Sequence, residues 1–296
     1  MKKIYPFQFL LFILLMAASC KPDALETTVE PVNQKLVINS MITPDTSLWI
    51  SVTRSNIAFP SFSNLTPSSI ISFIEGIAVN DALVTLSCNG YTDTLTAQSW
   101  GTYKLEQIPV HPGKIYQLTV FRPSTGETAF AYATIPSKSK IRQASVTVNY
   151  RTEHPAMELN ASFEDNSTTR DFYIASYYAV DIGDLKKHPE MLYHFMNKKR
   201  VDFDLINDLK QTNGTISLHK NFPEECISDT LTFMVSPVEE GYYRFLEQHK
   251  LSGGLLSQLA GEVVRYKTNI QGGYGYFSLR LPAIVRIAPT EFEILK

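Results

Sequence analysis

Cys20 is the residue whose neighbours spell out a reaction. Ala17-Ala18-Ser19 sets small side chains immediately before it, Phe9 to Ala18 is an unbroken apolar run, and Lys2 and Lys3 give that run a positive start. This order is that of a bacterial export signal ending in a lipobox, where the cysteine thiol is acylated and becomes the new N-terminus. The apolar run is too short to cross a hydrocarbon core of about 30 Å, which takes roughly 20 apolar residues. Residues 1–19 therefore read as a lipoprotein signal peptide. Palmitate-type chains at Cys20 are expected to hold the remainder to a membrane, each buried methylene contributing about 0.8 kcal/mol.

The other reactive side chains form no recognisable constellation. His111, His154, His188, His194, His219 and His249 are scattered, with no His-x-x-x-His or Cys-x-x-Cys spacing, so no metal site is expected. There is no Gly-x-Ser-x-Gly elbow and no phosphate-binding glycine loop. Glu164-Asp165 and the pair Asp202 and Asp204 could act as acid and base only across a cleft of about 5–10 Å, and read as solvated turns. Asp181-Ile182-Gly183-Asp184 is a turn that lacks the further ligands of a calcium loop. No catalytic residue and no cofactor are assigned. A hydrolase with a site drawn from distant residues is the remaining catalytic alternative. Cys88 and Cys226 lie in a compartment where disulfides persist. They are either separate buried thiols or one bridge, and spacing does not decide which.

Four tyrosines are candidate ligand or partner contacts. Tyr274 and Tyr276 sit in Gly272-Gly273-Tyr274-Gly275-Tyr276-Phe277, where glycine backbone and tyrosine rings could form a platform for a sugar or a partner. The competing reading is a tight turn or bulge before a strand at Phe277 to Leu281, with at least one glycine at positive φ. Tyr173 and Tyr177 invite the same platform reading, against core packing as the alternative.

The elements that would position these residues are mostly strands. Lys21 to Gln34 carries acids and prolines without periodicity, a flexible tether over 20–34. From Leu36 the period becomes two: Leu36 to Ile42, Leu48 to Val52, Val84 to Cys88, Thr92 to Thr96, Tyr103 to Leu105, Tyr116 to Val120 and Ala129 to Ile135. Turn-rich breaks such as Asn89-Gly90 and Pro112-Gly113 separate them. About seven short strands with such breaks predict a β-sandwich over 35–136. Asn56 to Asn80 interrupts the set as a long loop.

Pro136 to Lys140 marks the boundary to a second β-rich region, 141–296. Its strands are Ala144 to Asn149, Met157 to Phe163, Phe172 to Val180 and Thr230 to Val235. Phe172 to Val180 is apolar on both faces, as a doubly covered strand would be. One helix is expected near 237–250. Ser236-Pro237-Val238-Glu239 reads as a capping box with proline at the first position, and Val238, Tyr242, Phe245 and Leu246 form its apolar face. His249 and Lys250 suit the negative end of its dipole, and Gly253-Gly254 would stop it.

The order of these segments resembles one family. Leu36-Val37-Ile38-Asn39-Ser40-Met41-Ile42, Ser51 to Ser55, Ala82 to Leu86, Gly101-Thr102-Tyr103 and Gly113 to Val120 resemble its opening strands. Ser236 to Glu247 and Asn269 to Phe277 resemble its closing helix and glycine-rich turn. The family is that of Bacteroidota envelope lipoproteins described as domain of unknown function 4249, and the resemblance spans roughly residues 30–290. It implies a lipoprotein working beside a TonB-dependent outer-membrane receptor, and supplies no catalytic residues. The Gly-x-Tyr and Gly-x-x-Tyr-x-Leu-x-Val pattern also resembles transthyretin-like sandwich modules.

Charge excludes one partner class. With 27 basic against 29 acidic residues, a formal net charge of −2, the chain has no basic excess for nucleic acid. The expectation is a mainly β protein: an N-terminal Ig- or transthyretin-like sandwich, then a β-rich region with one packed helix. It would be lipid-anchored in the outer membrane, on either its periplasmic or its surface face. It would act without catalysis as an accessory of a TonB-dependent transporter or, alternatively, as a glycan-binding or adhesion module.

Overall fold

The computed structural model describes residues 34–43, 45–55, 67–111, 113–150, 154–181, 183, 200–208, 214–251 and 267–291. The signal peptide, Cys20, nearly all of the tether and Gly253-Gly254 lie outside the described residues. Among the latter, no helix is long and apolar enough to cross a membrane.

The first half forms β1 (Leu36–Ser40), β2 (Leu48–Arg54), α1 (Pro67–Ile77), β3 (Leu83–Cys88), β4 (Tyr91–Thr94), β5 (Thr96–Ala97), β6 (Thr102–Leu105), β7 (Ile115–Arg122) and β8 (Glu127–Thr134). The second half adds β9 (Ile141–Asn149), β10 (Ala156–Glu164), β11 (Phe172–Tyr178), β12 (Val201–Asn207), β13 (Thr215–Phe222), β14 (Leu231–Val238), α2 (Glu240–Leu251), β15 (Gly273–Tyr276), β16 (Ala283–Ile287) and β17 (Thr290–Glu291). Two sandwiches result. In the first, the sheet β15-β1-β2-β6-β5 faces β4-β3-β7-β8. In the second, β13-β10-β9-β17 faces β12-β11-β14-β16.

Period-two patterning explains the layers. Ile38, Ile50, Val52 and Tyr103 from one sheet meet Val84, Leu86, Leu118 and Val120 from the other in the first core. Asn89 and Gly90 both have positive φ, which is what a two-residue hairpin between β3 and β4 requires. The second core joins Val146, Leu159 and Phe163 to Ala175, Tyr177 and Phe233. All seven residues of β11 are buried. Its Tyr173, Ala175 and Tyr177 face that core, while Phe172 and Ile174 pack under α2 with Tyr242, Phe245 and Leu246. Cys88 and Cys226 are thiols, buried in the first and second cores respectively.

Several expectations change. Within Asn56 to Asn80, residues 67–77 form α1 rather than loop. The signal for it is Ile70, Ile74 and Ile77 at helical spacing behind a proline at the first position. The second helix begins at Glu240, not at 237, because Ser236, Pro237 and Val238 extend β14 and pair with Ile174, Tyr173 and Phe172. Pairing with a buried strand outweighs a local capping signature. Pro237 is tolerated because β16 reaches only as far as Val235, so its side away from β11 carries no ladder. Asp202 and Asp204 stand on β12, not in a turn. The region 141–296 is not self-contained either: β15 pairs in parallel with β1, from Leu36↔Gly273 to Asn39↔Tyr276.

Candidate functional site

The glycine-rich segment is a strand inserted into the first sandwich. Gly275 has φ +98°, and a Cβ there would collide with the carbonyl of Ile38. At Gly273 the same atom would lie 2.5 Å from the carbonyl of Leu36. Glycine is therefore required by the close approach of β15 to β1. Asn269 fastens the segment: its side chain accepts from Phe277 N at 2.8 Å and donates to Phe277 O at 2.7 Å, as a neighbouring strand would. Tyr276 N donates to Asn39 Oδ1 at 3.1 Å. The expected strand at Phe277 to Leu281 is instead an irregular crossing whose residues Phe277 to Arg280 are all buried.

The four candidate tyrosines fall into different settings. Tyr173 and Tyr177 are 3 % and 0 % exposed, so no sugar can stack on them. Tyr173 meets Phe163 edge-on at 5.0 Å and donates to Asp165 Oδ1 at 2.7 Å. Burial, then Asp165, raises its phenol pKa. Tyr177 stacks on Phe233 at 5.9 Å, and burial raises its pKa too. Tyr276 is half-buried between Tyr242 at 5.7 Å and Phe245 at 5.4 Å, both on α2. It belongs to the junction between the sandwiches. Tyr274 is half-buried, with the Lys35 ammonium 5.4 Å from its ring centre.

That junction is polar and buried. Tyr242 donates to Ser40 O at 2.8 Å, and Ser40 Oγ donates to Ser278 O at 2.8 Å. The Glu239 carboxylate, expected in a capping box, instead accepts from Thr134 N at 2.9 Å across the junction. Arg280, which sequence reasoning passed over, bonds Ser236 Oγ and the carbonyls of Met41 and Thr43. In sequence it shares a face with Ser278, opposite Phe277 and Leu279, so alternation alone would have placed it in solvent.

The acidic pairs have structural roles. Lys220 Nζ lies 2.9 Å from both Asp202 and Asp204, linking the edge strands β13 and β12 of facing sheets. For Asp204, burial pushes the carboxyl pKa up, but Lys220 and Lys250 outweigh it and the net shift is downward. His249 is buried against Phe245, and desolvation pushes its pKa down to about 4. It is therefore neutral at pH 7 and adds no charge to the helix end. One group among the described residues could hold a cation: carboxylate oxygens of Asp165, Asp171 and Asp208 lie within 4.8 Å of one another. Three oxygens fall short of the six to eight that calcium takes. Donation from Asp171 N to Asp208 Oδ2 at 2.9 Å and from Thr169 Oγ1 to Asp171 Oδ2 at 2.8 Å helps hold the group together.

The fold and its cemented junction define a tandem β-sandwich protein. The chain belongs to the family described as Domain of unknown function (DUF4249), whose model matches residues 23–280. That family is associated with the bacterial envelope. No curated protein matches the chain. Among solved structures, a two-domain fibronectin type III segment from chicken tenascin is similar at 10 % identity, with 70 % of this chain and 90 % of that one covered and a TM-score of 0.22. A DUF3823 family protein from Parabacteroides merdae is similar at 12 % identity, with 53 % and 79 % covered and a TM-score of 0.22.

Proposed function

We propose that this is a lipid-anchored, non-catalytic lipoprotein of the outer membrane that serves as an accessory partner of a TonB-dependent transporter. The lipobox ending at Cys20, in a chain of this envelope family, carries the reading. The non-catalytic part is supported by the acids most suited to paired chemistry, since Asp202 and Asp204 are both engaged by Lys220. The buried junction supports an accessory role: Gln34 onward is one compact unit, which could present a single rigid surface to a partner.

Affinity purification of the tagged full chain from solubilised outer membranes tests the partnership. Co-purification of a TonB-dependent receptor is expected. Recovery of the chain alone, under conditions that keep other receptor–lipoprotein pairs together, would sink it.

A further inference from the structure

We infer that the outer face of the sheet β4-β3-β7-β8 binds a neutral, linear glycan. Alternation sends Val84, Leu86, Leu118, Val120 and Ala131 into the core, so the intervening residues face outward. None of those outward residues on the four strands is charged, although 19 % of the chain is. Across this face runs a diagonal apolar stripe. Tyr132 and Phe130 are successive outward residues of β8, 6.0 Å apart and edge to face. Phe130 is paired with Thr119, so Phe121 lies on the adjacent diagonal, and Phe121 is paired with Leu83. Tyr132 is 47 %, Phe121 38 % and Leu83 48 % exposed. With strands about 4.8 Å apart and about 3.3 Å per residue, the stripe is about 16 Å long.

Beside the stripe stand Gln117, Thr119 and Thr85, whose amide and hydroxyls both donate and accept. Aromatic faces for the C–H side of sugar rings, next to uncharged hydrogen-bonding groups, match an uncharged polyhydroxylated chain. An acidic or basic partner would find no counter-charge among these outward residues, since the exposed Asp93 of β4 is paired with inward-facing Leu86 and takes the other face. Size argues against a protein partner held by this face alone. The patch covers roughly 400 Å² from these strand dimensions, about half of the 800 Å² per partner that a stable protein interface buries. The assignment stands apart from the transporter partnership, because sugar binding is read on the purified chain without any receptor.

Calorimetric titration of the detergent-solubilised full chain with cellohexaose, laminarihexaose, maltohexaose and mannohexaose tests it. Binding to at least one is expected, insensitive to added salt. Phe130→Ala with Tyr132→Ala should weaken it about tenfold or more at unchanged melting temperature. Should that pair unfold the chain, Phe121→Ser alone should still weaken binding. Tyr91→Ala, on the edge strand and facing the other way, should not. Absence of binding to all four sugars, abolition by salt, or unchanged affinity in the stripe variants overturns the inference. Loss of a co-purifying protein in the stripe variants, without sugar binding by the parent chain, would make the face a protein interface instead.

Discussion

Arg280 donates to the carbonyl of Thr43 at 3.0 Å, joining the end of the crossing segment to the chain leaving β1. The same guanidinium reaches Ser236 Oγ on β14 at 3.3 Å, so one buried side chain holds both sandwiches. Hydrogen bonds made by a buried cation to carbonyls are costly to remove, because each acceptor left behind stays out of water.

Arg280→Met keeps the volume and removes the donors. It should lower stability by roughly 1–3 kcal/mol for each carbonyl left unsatisfied. In urea unfolding, the midpoint should fall and the single transition should broaden or split as the sandwiches uncouple. A midpoint and slope equal to the parent's would show that the junction is held by its apolar contacts alone.

Two glycines at positive φ separate strain from collision. Gly90 has open space around it, so Gly90→Ala should cost only about 1 kcal/mol of backbone strain. Gly275→Ala adds the collision with Ile38 O and should cost well beyond that, displacing β15 from β1. Melting temperatures of the two variants decide the matter, and equal losses would contradict the close pairing.

His249 links stability to pH. Its folded pKa of about 4 lies below the unfolded value of 6.5, so the unfolded chain binds the proton more readily. Its neutral burial therefore stabilises fully above pH 6.5, and that contribution is lost as pH falls from 6.5 towards 4. His249→Phe should flatten the stability curve in this window relative to the parent, leaving the carboxylate contribution common to both. Parallel curves for the two proteins would refute the assignment.

Cys20→Ser removes the thiol that would carry the lipid. The variant should appear as soluble periplasmic protein or as uncleaved precursor, read by fractionation and intact mass. Fractionation with the outer membrane as tight as the parent's would mean that acylation is not the anchor.

How much was legible in the chain depends on how local each signal is. Patterning over runs of three to seven residues identified nearly all the strands of the first sandwich, and the two-sided apolarity of Phe172 to Val180 marked the central strand between core and helix. The strands β12 and β13 escaped notice because they are edges. Asp202, Asp204, Lys220 and their neighbours lean half into solvent, so their composition resembles that of turns.

What the sequence by itself determined were features whose causes lie within a few residues: the period-two core faces, the turn at Asn89-Gly90 and a positive-φ glycine at 272–275. Only the tertiary structure decided the rest. Ser236-Pro237 carried a local helix-start pattern, yet it went to the sheet, because pairing with buried β11 recruits contacts from over sixty residues away in the chain. Tyr173 and Tyr276 are chemically alike, but one seals a core and the other a junction. Their fates were set by partners that alternation cannot name, since a pleat fixes which way a side chain points and not what it meets. The return of β15 to β1 was likewise invisible. Its specificity resides in backbone proximity that only glycine permits, between segments from opposite ends of the folded unit.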